Sequence, residues 1–289
     1  VPEHLLIPVD RGSLQDGALI LKDESGFPKG YADWFQRFQA DFSWGAEAQH
    51  TIENFEKSLE SLPTPFLKQL SLLGLNSRDT QRLQTSKPHY AFDRFIKTRQ
   101  IQHRKGMVLM PIIELINHSP RGKTWNMSGD GVAVKGTFKG EIMVRYSKSD
   151  PLRRLLQYGF NCQEPTGFSV DLRLKHRNLD ITVRGGINHK AMKPFAVASK
   201  YNQLIINRPL LGSLESPKMP RTLFRSSLKD FNVDADELFD RVNHLNRMAV
   251  IQIIRELEYL DSSICNQLWI ACMDQLAALS CHLGSQELD

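Results

Sequence analysis

The chain has 289 residues, 41% of them hydrophobic and 24% charged, which suits one large domain or two ordinary ones with a substantial core. No apolar stretch approaches the roughly 18 residues of a membrane span, and no charged, apolar, then small-residue leader opens the chain, so neither a span nor a signal peptide is expected. Thirty-seven basic against 32 acidic residues leave +5, a mild excess below that of a dedicated nucleic-acid binder, and nucleic acid is not expected as a substrate.

Residues 1–30 read as short extended pieces. HLLIPV (4–9) and ALILK (18–22) are apolar runs separated by Gly12, Gly17 and Gly26. The texture then turns helical. WFQRF (34–38) and TIENFEKSL (51–59) carry helical spacing, with Ile52, Phe55 and Leu59 on one face. FLKQLSLLGL (66–75) resumes it after Pro63 and Pro65, with Gly74 as a C-cap candidate, and HYAFDRFIKTR (89–99) follows Pro88. Residues 31–100 thus read as a helical insert.

From residue 106 the chain is strand-like again: MVLMPII, VAVKGTF, GEIMVRY, FSVDLRL and LDITVRG. VDLRL and LDITV alternate and read as a hairpin about KHRN. The basic strings RGK (121–123), RR (153–154) and KHR (175–177) read as solvated loops or strand edges. Residues 186–230 give no clear element, only loop signals at Asn207-Arg208-Pro209 and Ser216-Pro217. Asp234 caps a helix carrying Leu238, Val242, Leu245 and Ala249 on one face, and a second helix covers about 263–282.

The four cysteines, Cys162, Cys265, Cys272 and Cys281, form no CxxC pair and no zinc-like set with histidine, so no metal is expected. They read as small hydrophobes in a reducing cytoplasm. His4, His50, His89, His103, His176, His189, His244 and His282 lack ligand spacing and read as surface or satisfied side chains. The order of strands, helical insert, strands and helical tail argues for an α+β domain carrying an insertion and an appended helical domain.

One string stands out. PIIELINHSP (111–120) reads as a buried strand that ends on an amide, an imidazole, a hydroxyl and a proline. A turn explains these residue types. Arg99 lies just before it in IKTRQI, Tyr146 ends EIMVRY, and Tyr158-Gly159-Phe160 closes RRLLQYGF. In this order and spacing they resemble SET-domain protein methyltransferases. The nearest subgroup is the one typified by the Rubisco large-subunit lysine methyltransferase. The motif match spans about residues 96–160.

The resemblance implies a β-rich SET fold with pseudoknot-like threading that brings NHS and YGF together. It is split by the helical insert and followed by a mainly helical domain that docks substrate. The domains are then 1–30 (N-terminal SET strands, incomplete), 31–100 (insert), 101–185 (C-terminal SET portion) and 186–289 (substrate-binding-like). VPEHLLIPV is similar to a segment that follows the family's first two strands. That places the family's glycine-rich cofactor loop upstream of Val1, inside a longer protein.

The resemblance further implies S-adenosylmethionine as methyl donor and a lysine of an unidentified protein as acceptor. Arg99, Asn117, His118, Tyr158 and Phe160 are the implied cofactor residues, and Tyr158 is the implied catalytic tyrosine. Glu114, Tyr146 and Phe168 are implied to face the substrate. Glu114 stands where many relatives have Asp, and Phe168 where a tyrosine often lines the lysine channel. One branch of the family methylates histidine. The other reading of the same residues is a catalytically silent SET-like module that binds a protein or peptide.

Overall fold

The computed structural model describes residues 1–73, 90–104, 106–127, 130–187, 197–200 and 202–283. The C-cap expected at Gly74, together with His89 and His189, lies outside them.

In chain order, the first strands are β1 (Ile7–Pro8), β2 (Gly12–Gln15) and β3 (Ala18–Leu21). Helix α1 (Tyr31–Phe38) runs into a π-helical turn (Gln39–Ser43). Helices α2 (Ala46–Glu60), α3 (Thr64–Leu73) and α4 (Tyr90–Arg99) follow. Next come β4 (Gln100–His103), β5 (Gly106–Leu109), a 3-10 turn (Ile113–Leu115), β6 (His118–Lys123) and α5 (Pro151–Tyr158). Then come β7 (Thr166–Phe168), β8 (Leu172–His176), β9 (Leu179–Arg184), β10 (Val197–Lys200), β11 (Gln203–Asn207) and β12 (Leu210–Ser213). The tail is α6 (Met219–Leu228), α7 (Ala235–Leu257) and α8 (Cys265–Ser280). The protein is therefore mixed α and β, with small sheets. No helix among the described residues is long and apolar enough to cross a membrane.

Two compact units divide the chain: Val1–Ser58 with Arg82–Ser147, and Leu59–Gln81 with Lys148–Asp289. In the first, β2 and β3 form a hairpin whose two-residue turn is Asp16-Gly17. Both turn residues have positive φ (49° and 79°), which matches the twist of the strands. A second sheet has the order β1-β5-β4, antiparallel throughout. Ile7, Leu19, Phe35, Phe95 and Leu109 fill the core between these strands, α1 and α4. The stretch HLLIPV is mostly not extended: Glu3–Leu5 and Val9–Arg11 are 3-10 turns flanking the short β1. VAVKGTF and GEIMVRY form no strand either. They pair only through single bridges, at Gly131 and Ala133 and at Val144. Gly131, Gly136 and Gly140 all hold positive φ, which breaks any longer ladder there.

In the second unit, β8 and β9 form the expected hairpin, with Arg177 at φ 53° in the turn. The sheet order is β10-β11-β9-β8, and β11 runs parallel to β9. The antiparallel pair β12-β7 lies against α8. Gly212 and Gly167 make that approach possible: an added Cβ at Gly212 would lie 1.9 Å from the Ala278 carbonyl oxygen. The Asp234 side chain accepts hydrogen bonds from the N–H groups of Asp236 and Glu237, capping α7 as its sequence predicts. Asn246, buried on α7, accepts from Val170 N–H and donates to Ser169, tying the helix to the loop before β8.

Candidate active site

The segment MVLMPIIELINHSP does not run on as one strand. β5 ends at Leu109, and the chain reverses at Ile112, whose φ of 72° and ψ of −59° describe a γ-turn of the rare left-handed kind. Ile113 N–H donates to the Pro111 carbonyl at 3.0 Å, closing it. A β-branched residue is costly in this region of backbone space. The reversal carries Glu114 to the interior, where only 8% of it is exposed.

The Glu114 carboxylate is met by two residues from the π-helical turn. Gln39 Nε2 donates to its Oε1 at 2.8 Å and Ser43 Oγ donates to the same oxygen at 2.7 Å. Glu114 Oε2 is buried and has no hydrogen-bond partner, and the same is true of Gln39 Oε1. Burial pushes the Glu114 carboxyl above its ordinary value, against the pull of the two donors and of Arg99. Burial, together with the Glu114 charge, also raises the Tyr31 phenol.

Arg99 ends α4. Its guanidinium lies 4.1 Å above the Phe95 ring, and one of its terminal nitrogens donates to Thr98 Oγ1 at 3.1 Å. Its Nε is buried without a hydrogen-bond partner. Burial lowers its pKa, while Glu114 and Tyr146 act in the opposite sense. Arg99 forms no ion pair among the described residues.

Tyr146 and His118 are neighbours. The Tyr146 N–H donates to His118 Nδ1 at 3.1 Å, and the two rings stand 5.1 Å apart. Nδ1 is therefore an acceptor, which puts the ring proton of the neutral imidazole on Nε2. The Tyr146 hydroxyl donates to the Ile116 carbonyl at 2.7 Å. Asn117 is exposed, and its amide NH2 donates to Glu141 at 2.8 Å. That bond leaves the Asn117 amide oxygen as an unspent acceptor among the described residues. The first unit thus places Arg99 within electrostatic reach of Glu114 and Tyr146, and Tyr146 beside His118, whereas Asn117, just before β6, turns its exposed side chain to Glu141.

The other three candidates belong to the second unit. Tyr158 is the last residue of α5, and Gly159 at φ 79° ends that helix in the left-handed conformation favoured for glycine. The N-terminus of α5 is held by Asp150, which is fully buried and accepts from Arg153 N–H at 2.9 Å. The Arg154 guanidinium lies 4.7 Å from the Tyr158 ring centroid. Arg154 is fully buried, and its Nε donates to Glu164 Oε1 at 2.7 Å. Phe160 sits 6.0 Å from the Tyr158 ring, centroid to centroid. Phe168 is buried at the end of β7, where it pairs with Leu210. Burial and the Glu164 charge push the Cys162 thiol up to about 11, which makes it a poor nucleophile.

Gln39 and Ser43 were not legible as site residues. The one sequence signal is their i, i+4 spacing, which places both on the same side of a helical turn. His176 departs from the expectation of a surface or satisfied histidine: it is buried, and its Nε2 makes no hydrogen bond and lies 3.9 Å from Glu237. Comparison of the chain with protein-family models, curated proteins and solved structures finds no match.

Proposed function

We propose that this protein is an S-adenosylmethionine-dependent protein N-methyltransferase of the SET type, with a lysine side chain as acceptor. The observation that carries the proposal is the bonding capacity left unspent on Arg99, Glu114 and Asn117, which share one unit with His118 and Tyr146. A zwitterionic amino acid needs a cation for its carboxylate and an acceptor for its ammonium. Arg99 offers a guanidinium without an ion pair, and Asn117 offers a free amide oxygen. The donor set therefore fits the methionine end of the cofactor.

When bound, S-adenosylmethionine supplies an electrophilic methyl group on a sulfonium. The chain's own residues supply positioning. A lysine must lose its proton before it can accept a methyl group, and a buried site favours the neutral amine. The unpartnered Oε2 of Glu114 is an acceptor for the hydrogens of that nitrogen, and the donors on Oε1 hold the carboxylate in place. The Tyr158 phenol, on a helix end stiffened by the buried Arg154–Glu164 pair, is assigned the role of contacting the methyl group through weak C–H···O interactions. On this reading the acceleration comes from orientation and fixed dipoles. Four free cysteines accord with a reducing compartment, and a cytoplasmic location belongs to the same proposal.

The test is transfer of a radiolabelled methyl group into a lysine-containing protein extract. Tyr158→Phe should lower transfer by at least about 100-fold, the scale of losing a positioned group, while cofactor binding persists. Retained transfer in Tyr158→Phe would remove the catalytic assignment. Absence of cofactor binding would favour the silent binding module.

A further inference from the structure

The excess positive charge of this chain is not spread evenly. Between residues 118 and 147 there are five basic side chains (Arg121, Lys123, Lys135, Lys139 and Arg145) and two acidic ones (Asp130 and Glu141). That segment supplies three of the five net positive charges. None of its five basic side chains has an ion-pair partner among the described residues. Elsewhere in the same unit Arg11, Arg94 and Arg104 each face a carboxylate. The two acidic residues are engaged away from the lysines: Glu141 accepts from Asn117, and Asp130 faces Arg104.

The backbone collects these cations. Lys123 N–H donates to the Met143 carbonyl at 3.1 Å, and Arg145 N–H donates to the Lys123 carbonyl at 2.9 Å. Asn126 and Ala133 exchange hydrogen bonds at 2.8 and 2.9 Å, folding the segment that bears Lys135 back beside Lys123. The result is a groove of about 580 Å³ lined by Lys123, Thr124, Trp125, Asn126, Met127 and Lys135. Both lysines are exposed, and Met127 is 47% exposed. Trp125 is half-buried: it packs on the cluster of Leu6, Val108, Met110 and Val132 and also lines the groove.

We propose that this groove binds single-stranded nucleic acid, with Lys123 and Lys135 on its wall and Arg145, which is joined to Lys123 through the backbone and flanks the groove, neutralising phosphates and Trp125 receiving a base. Cations left unpaired on a folded surface fit a partner of dense negative charge. The indole favours nucleic acid over an acidic polypeptide, because every base presents a π-face and an aspartate or glutamate side chain does not. The RGK string, expected in a solvated loop or at a strand edge, ends β6, and its Lys123 lines the groove. Lys123, Trp125 and Lys135 are not among the residues assigned to methyl transfer.

The experiment is fluorescence anisotropy of a labelled oligothymidylate of about 12 nucleotides titrated with the full chain at several salt concentrations, with polyglutamate as competitor. The expected Kd is on the order of 10 µM at low salt, with a log–log salt slope of about −2, the value for three neutralised phosphates on a single strand. Lys123→Glu with Lys135→Glu should weaken binding more than about tenfold, and both side chains are exposed, so folding is not at stake. Trp125→Phe should remove the fluorescence quenching that accompanies binding. Failure of the oligonucleotide to bind overturns the proposal. So does binding that the lysine pair does not affect. Tighter binding of polyglutamate, unchanged by Trp125→Phe, overturns it in favour of an acidic polypeptide.

Discussion

Ser43 donates its hydroxyl to one oxygen of Glu114, and that bond, with that of Gln39 and the charge of Arg99, opposes the burial that keeps the carboxyl protonated. Because burial raises the folded-state pKa of Glu114, the folded protein holds this proton more tightly than the unfolded chain does. Its contribution to stability is therefore fully present below the ordinary glutamate value of 4.5 and is lost as pH rises through the raised one. Arg99 is the cation that opposes this rise in pKa, and the Glu114 charge in turn helps to raise the Tyr31 phenol. Ser43→Ala removes a donor to the ionised form, so its cost should grow with pH: about 0.5–1.5 kcal/mol near pH 5 and about 1.5–3 kcal/mol near pH 8.5 by urea unfolding. Equal costs at the two values would mean that Glu114 keeps one charge state throughout.

Ile112 makes a second point at this scale. Its side chain is 59% exposed and its φ is 72°, so it adds backbone strain with little burial in return. Ile112→Gly should raise stability by about 1 kcal/mol, the relief of strain less the added chain entropy of glycine. A loss of that size would show that the turn is not strained.

Among the elements, α5 depends on a buried ion pair. Glu164→Gln strips the carboxylate from a guanidinium that has no exposed surface, and should cost about 3–5 kcal/mol. Arg154→Met combined with Glu164→Leu should recover most of that loss, because neither charge is then left buried. If the single change proves harmless, the pair is not a closed one. The contact of the β7–β12 pair with α8 makes a further test. Gly212→Ala would drive a methyl group into the Ala278 carbonyl, and thermal unfolding should report a loss of about 1–3 kcal/mol or more from overpacking.

The elements that sequence predicted well are those with a period and a cap. α1 and α2, with their amphipathic spacing, and α7, with its spacing and its Asp cap, fall where the apolar residues indicate. So does the β8–β9 hairpin. The failures share a cause. MPII and VAVKGTF are β-prone by composition, but Ile112 and Gly136 hold positive φ and interrupt the ladder. β10, β11 and β12 were invisible, because parallel pairing of β11 with β9 is a long-range choice that local pattern does not encode.

For the whole molecule, part of the candidate site was legible and part was not. The resemblance implies roles for Arg99, Asn117 and Glu114, and each retains bonding capacity in the fold. Gln39 and Ser43 were missed because they reach Glu114 from 75 and 71 residues away, through a π-helical turn with no sequence signature. A net +5 is modest for 289 residues, and the approach of Lys135 to Lys123 and Trp125 emerges only once Asn126 and Ala133 exchange backbone hydrogen bonds.

The central claim is the cofactor site, and calorimetric titration of S-adenosylhomocysteine tests it most directly. The titration should be run on the chain beside its Asn117→Ala variant. The proposal predicts saturable binding that Asn117→Ala abolishes. Absence of binding, or binding indifferent to Asn117, would contradict it.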